Sequence, residues 1–320
     1  MARRPLRYIP ILWQRPTTGL HCGRFFLGPH LSSITQSLGR LGSDASEHTK
    51  TVRISVLLNI SHNFSLTSRL DIFFAHRHQC GFDVHVDRFR ASMSSPPAQQ
   101  PHPALLDAIY LMACYFSQPH YAAQEQHYLQ RALSGISSSL QDSDRLIQIV
   151  QASCLIAIYF FSRGRTLEGY YHSSTAARLA VSLGLHQIKS DDWYNPQFDL
   201  GSSAAIPQPA FLTFKSSLQL PAPRDSTEYS ERVAAFWQVF SVDRAWSVAS
   251  GLPAALPDDD NSPRARVETT WPSSIGDSQP LNDSSKLNPY LRAKVVTLFE
   301  RSYRLASSAS KRRSPPRSPD

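Results

Sequence analysis

Residues 231–260, ERVAAFWQVFSVDRAWSVASGLPAALPDDD, constrain the fold of this chain more than any other stretch. Val233, Phe236, Trp237 and Phe240 recur at the spacing that places them on one side of a 3.6-residue helix. Asp225 and Glu228 form the D-x-x-E pattern of a capping box, so the helix is expected to begin near Asp225. Gly251 can take the left-handed conformation that ends a helix, Leu252 supplies the apolar contact beyond it, and Pro253 blocks continuation. A helix with both ends specified and one apolar side needs other helices to cover that side.

The same period predicts those partners. Leu70, Ile72, Phe73 and Phe74 point to a helix ending near Gly81, while the alternation from Phe82 to Val86 is too short for a strand. A helix from Pro103 to Phe116 buries Leu105, Leu106, Ile109, Met112 and Phe116, with Pro103 in its first turn. A second, from Pro119 to Leu140, turns Tyr121, Tyr128, Leu129, Ala132, Leu133, Ile136 and Leu140 inward. A third, capped by Asp142 or Asp144, is apolar almost all round from Leu146 to Phe161, as a helix surrounded by others must be. A fourth runs from Thr166 to Leu183, with Thr166 as its cap, Glu168 at its positive end and Gly184 as its stop. Because only Arg163-Gly164-Arg165 and its immediate neighbours separate the third and fourth helices, they form a helical hairpin. Ala176, Ala177 and Ala180 let its two arms approach closely. A last helix, from Pro289 to Ala306, carries Leu291, Val295, Leu298, Phe299 and Tyr303. No strand pattern of useful length occurs. The expected fold is all-α, an antiparallel multi-helix bundle with long Pro-rich loops at 186–224 and 253–288 and disordered ends.

Charge divides the chain into three parts. The net charge is +8, but residues 1–60 hold eight Lys/Arg against two acids and residues 311–320 hold four against one. The remaining 61–310 carry 21 Lys/Arg and 22 acids. The body is therefore nearly neutral and lacks the basic excess of a phosphate-binding surface. Residues 1–60 are expected to form a basic disordered arm; their Arg-rich composition, with no acid before Asp44, also suits a mitochondrial transit peptide. Residues 61–310 form the folded region and 311–320 a basic Ser/Pro tail. Lys311-Arg312-Arg313 resembles a short nuclear import cluster. No apolar run is long enough to span a membrane.

Few residues suggest chemistry. Cys22, Cys80, Cys114 and Cys154 fit no zinc-finger spacing and no compact disulfide framework. His76, His78, Cys80 and His85 are the one candidate metal-ligand set, although the paired C-x-x-C element of a strong zinc site is missing. Asp258, Asp259 and Asp260 follow Pro253 and Pro257, which places them on a solvated turn; the magnesium-binding acids of a helical terpene cyclase project from a helix into a pocket. Arg163 and Arg165 flank a helix-ending glycine, and the Asp243-Arg244 pair beside the buried stripe suits helix orientation better than catalysis. Neither a nucleophile elbow nor a phosphate-cradling glycine loop is present. No catalytic, cofactor-binding or metal residue is therefore assigned.

Four segments together resemble the regulatory domain of fungal-specific transcription factors, the middle homology region of the xylanolytic activator type. They are LDIFFAHRHQCGFDVHVDRF, HPALLDAIYLMACYFS, IQASCLIAIYFFSRGRTLEGYYHSSTAARLAVSLGLH and ERVAAFWQVFSVDRAWSVASGLPAALPDDD. The specific part is a helix ending in S-L-G-L-H followed later by R-x-x-x-F-W-x-x-F-x-x-D-R and G-x-P. The resemblance implies a non-enzymatic, nuclear regulatory module of RNA polymerase II transcription, with Gly164, Glu168, Tyr170, Gly184, His186, Phe236, Trp237, Asp243, Arg244, Gly251 and Pro253 in structural roles. Its expected partners are the transcription machinery or regulatory proteins, a small-molecule effector, and a second copy in a homodimer. Such proteins usually read DNA through a six-cysteine zinc cluster, which the single cysteine before residue 80 cannot build. The alternatives are a helical ligand-sensing or docking scaffold with no DNA role, and a metal-dependent all-α enzyme.

Overall fold

A computed structural model describes residues 67–117, 121–189, 220–257, 266–275 and 288–313. These residues form eight α-helices and, among them, no strand. Helix α1 covers 67–76 and tightens into a 3-10 turn, Arg77–Cys80, which Gly81 ends at φ 60°. The stop near Gly81 thus lies where the sequence places it.

A short helix follows that the sequence reading lacks: α2, Val86–Ser92. Its cap is His85, whose Nδ1 accepts from the Arg88 N–H at 3.3 Å. Its inward side is Val86, Phe89 and Met93, a stripe too short to stand out beside the Phe82–Val86 alternation. Helix α3 spans Pro103–Phe116 as expected, with Pro103 in the first turn and His102 accepting from the Ala104 N–H.

Helix α4 is Glu125–Asp142, preceded by a 3-10 turn at Ala122–Gln124, so it begins later than Pro119. Glu125 is buried because the Tyr159 hydroxyl donates to it at 2.8 Å and Arg163 pairs with it. At its far end Leu140 is 43% exposed, contrary to expectation. Ser139 takes the inward place instead, its hydroxyl donating to the Asp144 carbonyl.

Helix α5, Leu146–Ser162, is the centre of the molecule: 14 of its 17 residues are buried. Neither Asp142 nor Asp144 caps it. Asp142 is the last residue of α4, and the Asp144 carboxylate is occupied by Arg145 at 2.7 Å and faces His102 at 3.6 Å. The cap position falls to Arg145, held at φ 43°. Helix α6, Thr166–Ser182, likewise starts from Arg165, with Thr166 inside the helix and Glu168 paired to Arg165. The hairpin of α5 and α6 forms around the Gly164 turn at φ 76°, and Ala176, Ala177 and Ala180 are fully buried within it.

Helix α7, Ser226–Ser250, begins at Asp225, whose carboxylate accepts from the Glu228 N–H at 2.7 Å. The reciprocal half of the capping box is displaced by one residue, because Glu228 accepts from the Arg224 N–H. Gly251 ends the helix at φ 73°. Val233, Phe236, Trp237 and Phe240 are buried as predicted, yet the helix is not one-sided: every residue from Arg232 to Ala245 is buried. It packs against α5, α6 and α8.

Helix α8, Pro289–Arg313, departs most from the sequence reading. It runs through residues expected to be disordered and crosses the anticipated boundary at 310. Its buried residues are Arg292, Ala293, Val296 and Glu300, whereas Leu291, Val295, Leu298, Phe299 and Tyr303 are exposed. The buried ion pair of Arg292 with Asp83 turns the helix this way. The N-terminal arm, most of the 186–224 loop and the final residues lie outside the described residues.

The hairpin's close packing is testable at Gly169. A Cβ there would lie 2.6 Å from the Phe161 ring. That ring is stacked on Trp246 with centroids 4.2 Å apart, so it has little room to yield. Gly169→Ala should lower stability by about 1–3 kcal/mol through overpacking, read as a lower urea midpoint with an unchanged slope.

Candidate functional site

The polar residues buried on α7 make the most specific arrangement in the molecule. Asp243 and Arg244 are 4% and 3% exposed, far below the usual exposure of charged residues, and they hold the segment that follows the G-L-P turn. The Asp243 carboxylate accepts from the Ala255 N–H at 2.7 Å and from the Leu256 N–H at 3.1 Å. The Arg244 guanidinium donates to the Leu256 carbonyl at 3.2 Å. The pair therefore folds the chain back onto the helix it has just left, burying Ala255 and Leu256.

A second tie surrounds Trp237. Beyond α6, Gly184 at φ 73° leads into a 3-10 turn, Leu185–Gln187. The His186 carbonyl accepts from the Glu268 and Thr269 N–H groups, and the Ile188 carbonyl from the Thr270 N–H. Trp237 Nε1 donates to the Thr270 carbonyl at 2.7 Å, and its ring stacks on Trp271 with centroids 4.5 Å apart. The Lys294 ammonium lies 3.9 Å from the centre of the Trp271 ring. This strap joins α6, α7 and α8 through residues 266–271, which the sequence reading treats only as part of a Pro- and Ser-rich connection.

The candidate metal ligands do not converge. His76 lies against the Phe116 ring and pairs with Gln79, His78 faces Asp83 at 3.9 Å, Cys80 is in the core, and His85 caps α2. Each side chain is thus held in a separate local role. Among the described residues no group of three or more His, Cys, Asp or Glu is placed to hold a metal ion. Burial pushes the Cys114 thiol up to about 11 and raises Cys80 and Cys154 further, so none of these thiols is an available nucleophile at neutral pH. Asp258, Asp259 and Asp260 lie outside the described residues.

The hairpin cations are both engaged by neighbouring side chains, Arg163 half-buried and Arg165 at the surface. Arg163 pairs with Glu125 and sits over the Tyr115 and Tyr159 rings, and Arg165 pairs with Glu168 and covers the Phe160 ring. Among the described residues, two open surfaces stand out. One is a shallow groove of about 550 Å³ lined by α6 residues and Leu140 of α4. The other is the outer face of α8.

A family model described as the fungal specific transcription factor domain matches residues 70–312. The chain belongs to this family. No curated protein and no solved structure matches it. The fungal transcription factor domain takes in all of α2 to α7 and nearly all of α8, so the clamp that Asp243 and Arg244 make on residues 255–256, the strap and both open surfaces belong to it. Its role is the regulation of a fungal transcription factor.

The clamp has a pH signature. Burial holds the Asp243 carboxyl above its ordinary range, against the opposing pull of the Ala255 N–H and Arg244. A carboxyl raised on folding binds its proton more tightly in the folded than in the unfolded state. Its share of stability is therefore greatest below the ordinary carboxylate value and falls as pH rises through the raised value. Asp225 behaves oppositely: Arg88 and the Glu228 N–H lower it, so its share is present at neutral pH and lost on acidification. In Asp243→Asn one of the two backbone N–H groups faces an amide donor and loses its acceptor. The variant should lose about 1–3 kcal/mol at neutral pH. Because Asn does not titrate while wild type gains stability at this site on acidification, urea denaturation should show a larger deficit for the variant near pH 4 than at neutral pH.

Proposed function

We propose that this domain is the non-enzymatic, nuclear regulatory module of a transcription factor acting on RNA polymerase II promoters, with DNA read by a separate zinc-cluster segment. The family match across residues 70–312 is the observation that carries this reading. The nearly neutral charge of residues 61–310 supports it, since a surface that reads DNA needs a basic excess to neutralise phosphates. The internal use of Arg163, Arg244 and Arg292 in ion pairs, ring contacts and backbone hydrogen bonds points the same way.

The test is a fusion of the full chain to a heterologous DNA-binding domain in fungal cells carrying an RNA polymerase II reporter. Reporter output should differ severalfold from that of the DNA-binding domain alone. Trp237→Ala, which removes a large buried side chain at a cost of about 3–5 kcal/mol, should erase the difference. A well-expressed nuclear fusion with unaltered reporter output would contradict the proposal.

A ligand-sensing role has one specific observation in its favour. The groove on α6 is lined by Leu140, Tyr170, Tyr171, Arg178 and Leu179, an apolar wall with one cation. Ser174 Oγ, also in its lining, is buried and has no hydrogen-bond partner among the described residues. This chemistry suits a small apolar effector with an acidic group. Thermal melts with such a compound should show a rise in Tm that Arg178→Ala diminishes.

A further inference from the structure

Helix α8 is fixed to the body by one side. Val296, Ala293 and the Arg292–Asp83 pair anchor it, and Lys294 lies on Trp271. Its other side carries Leu291 at 50%, Val295 at 48%, Leu298 at 64%, Phe299 at 44%, Tyr303 at 44% and Leu305 at 73% exposure. These positions follow one another at helical spacing and make a continuous apolar stripe. From Arg301 to Ala306 every residue is exposed, so this part of the helix projects beyond the body.

The charge around the stripe has one sign. Helix α8 contains Arg292, Lys294, Arg301, Arg304, Lys311, Arg312 and Arg313, and its sole acid, Glu300, is buried and paired with Arg304. Residues 61–288, by contrast, hold 17 Lys/Arg and 21 acids. The positive charge of the folded region is thus concentrated on the helix that also presents the exposed apolar stripe.

These two properties select an occupant. One side of α8 is already covered, so a partner can only lie along the other. Residues 291–305 span about 21 Å at 1.5 Å per residue, a length that one helix of about 15 residues would match. The exposed part of the six side chains is on the order of 500 Å², less than the ~800 Å² per partner of a standard interface. Pairing two copies through α8 would also set like charges against each other. We propose that the outer face of α8 is a docking site for an acidic amphipathic helix of a partner protein. The partner's apolar residues cover Leu291, Leu298 and Phe299, and its carboxylates flank them opposite Lys294 and Arg301. This inference does not depend on the effector groove or on the reporter result.

The experiment uses the full chain and a fluorescein-labelled 18-residue helical peptide with Leu at i, i+3, i+4 and i+7 and Glu at the flanking positions. Fluorescence anisotropy should show binding that weakens about tenfold or more in Leu298→Asp and in Arg301→Glu. It should also weaken as salt is raised through the physiological range. Leu298 and Arg301 are exposed, and unchanged thermal melts of the variants should establish that both still fold. Failure of the acidic peptide to bind, or equal binding of a peptide with Lys in place of Glu, would overturn the proposal. So would a wild-type dimer, seen by light scattering, that Leu298→Asp makes monomeric, since the occupant would then be a second copy. Tighter association with phosphatidylserine vesicles than with the peptide would overturn it in favour of a membrane surface.

Discussion

The structure depends on burying α7 along its length although many of its residues are polar. A polar group taken out of water costs free energy unless it finds a partner. Several of these groups on α7 therefore reach for a piece of chain elsewhere. Arg232 donates to the Pro221 carbonyl, Trp237 to the Thr270 carbonyl, and Gln238 to the Cys80 carbonyl, while Asp243 accepts from Ala255 and Leu256. All the segments so recruited lie outside the α-helices. Helix α7 thus does what a sheet edge does in other folds: it satisfies the backbone of irregular segments and holds them against the core.

The parts legible in the sequence were those set locally. Pro103 and Phe116 bound α3, Asp225 caps α7, and Gly184 and Gly251 adopt positive φ, because each of these depends on a residue and its near neighbours. The cap of α5 differs from the expected one for the opposite reason. Asp144 is a good cap by type, but its carboxylate is taken by Arg145 and His102, and the second of these is distant in sequence. Helix α2 was hidden by its shortness. The strap at 266–271 carries no period at all, and its bonds to His186, Ile188 and Trp237 link residues far apart in the chain. The family resemblance was legible because it rests on the same local stops, whereas the clamp by which Asp243 gathers the segment after them needed the fold.

Two carboxylates on α7 illustrate how context sets the electrostatics of one helix. Asp225 is partly exposed and meets Arg88 and the Glu228 N–H, so ionisation is favoured there. Asp243 also meets two N–H donors, yet desolvation outweighs them and works against its charge. Asp225 starts the helix at little cost, while Asp243 holds the chain beyond the helix under strain between solvation and bonding. The end of α7 is accordingly sensitive to the protonation of Asp243.

The rotation of α8 is the clearest case in which burial does not follow hydrophobicity. A buried ion pair such as Arg292–Asp83 contributes little net stability, because desolvation of both charges offsets their attraction. Turning the helix to cover Leu291, Leu298 and Phe299 instead would gain about 25 cal/mol for each Å² of apolar surface removed from water. Stability alone would thus favour the opposite face. The ion pair acts as a register, holding the less apolar side on α7 and leaving the apolar stripe outward among cations. A fold that keeps this arrangement retains a surface for contact with another molecule, and Lys294 and Arg301 beside the stripe narrow the chemistry of that molecule to the acidic.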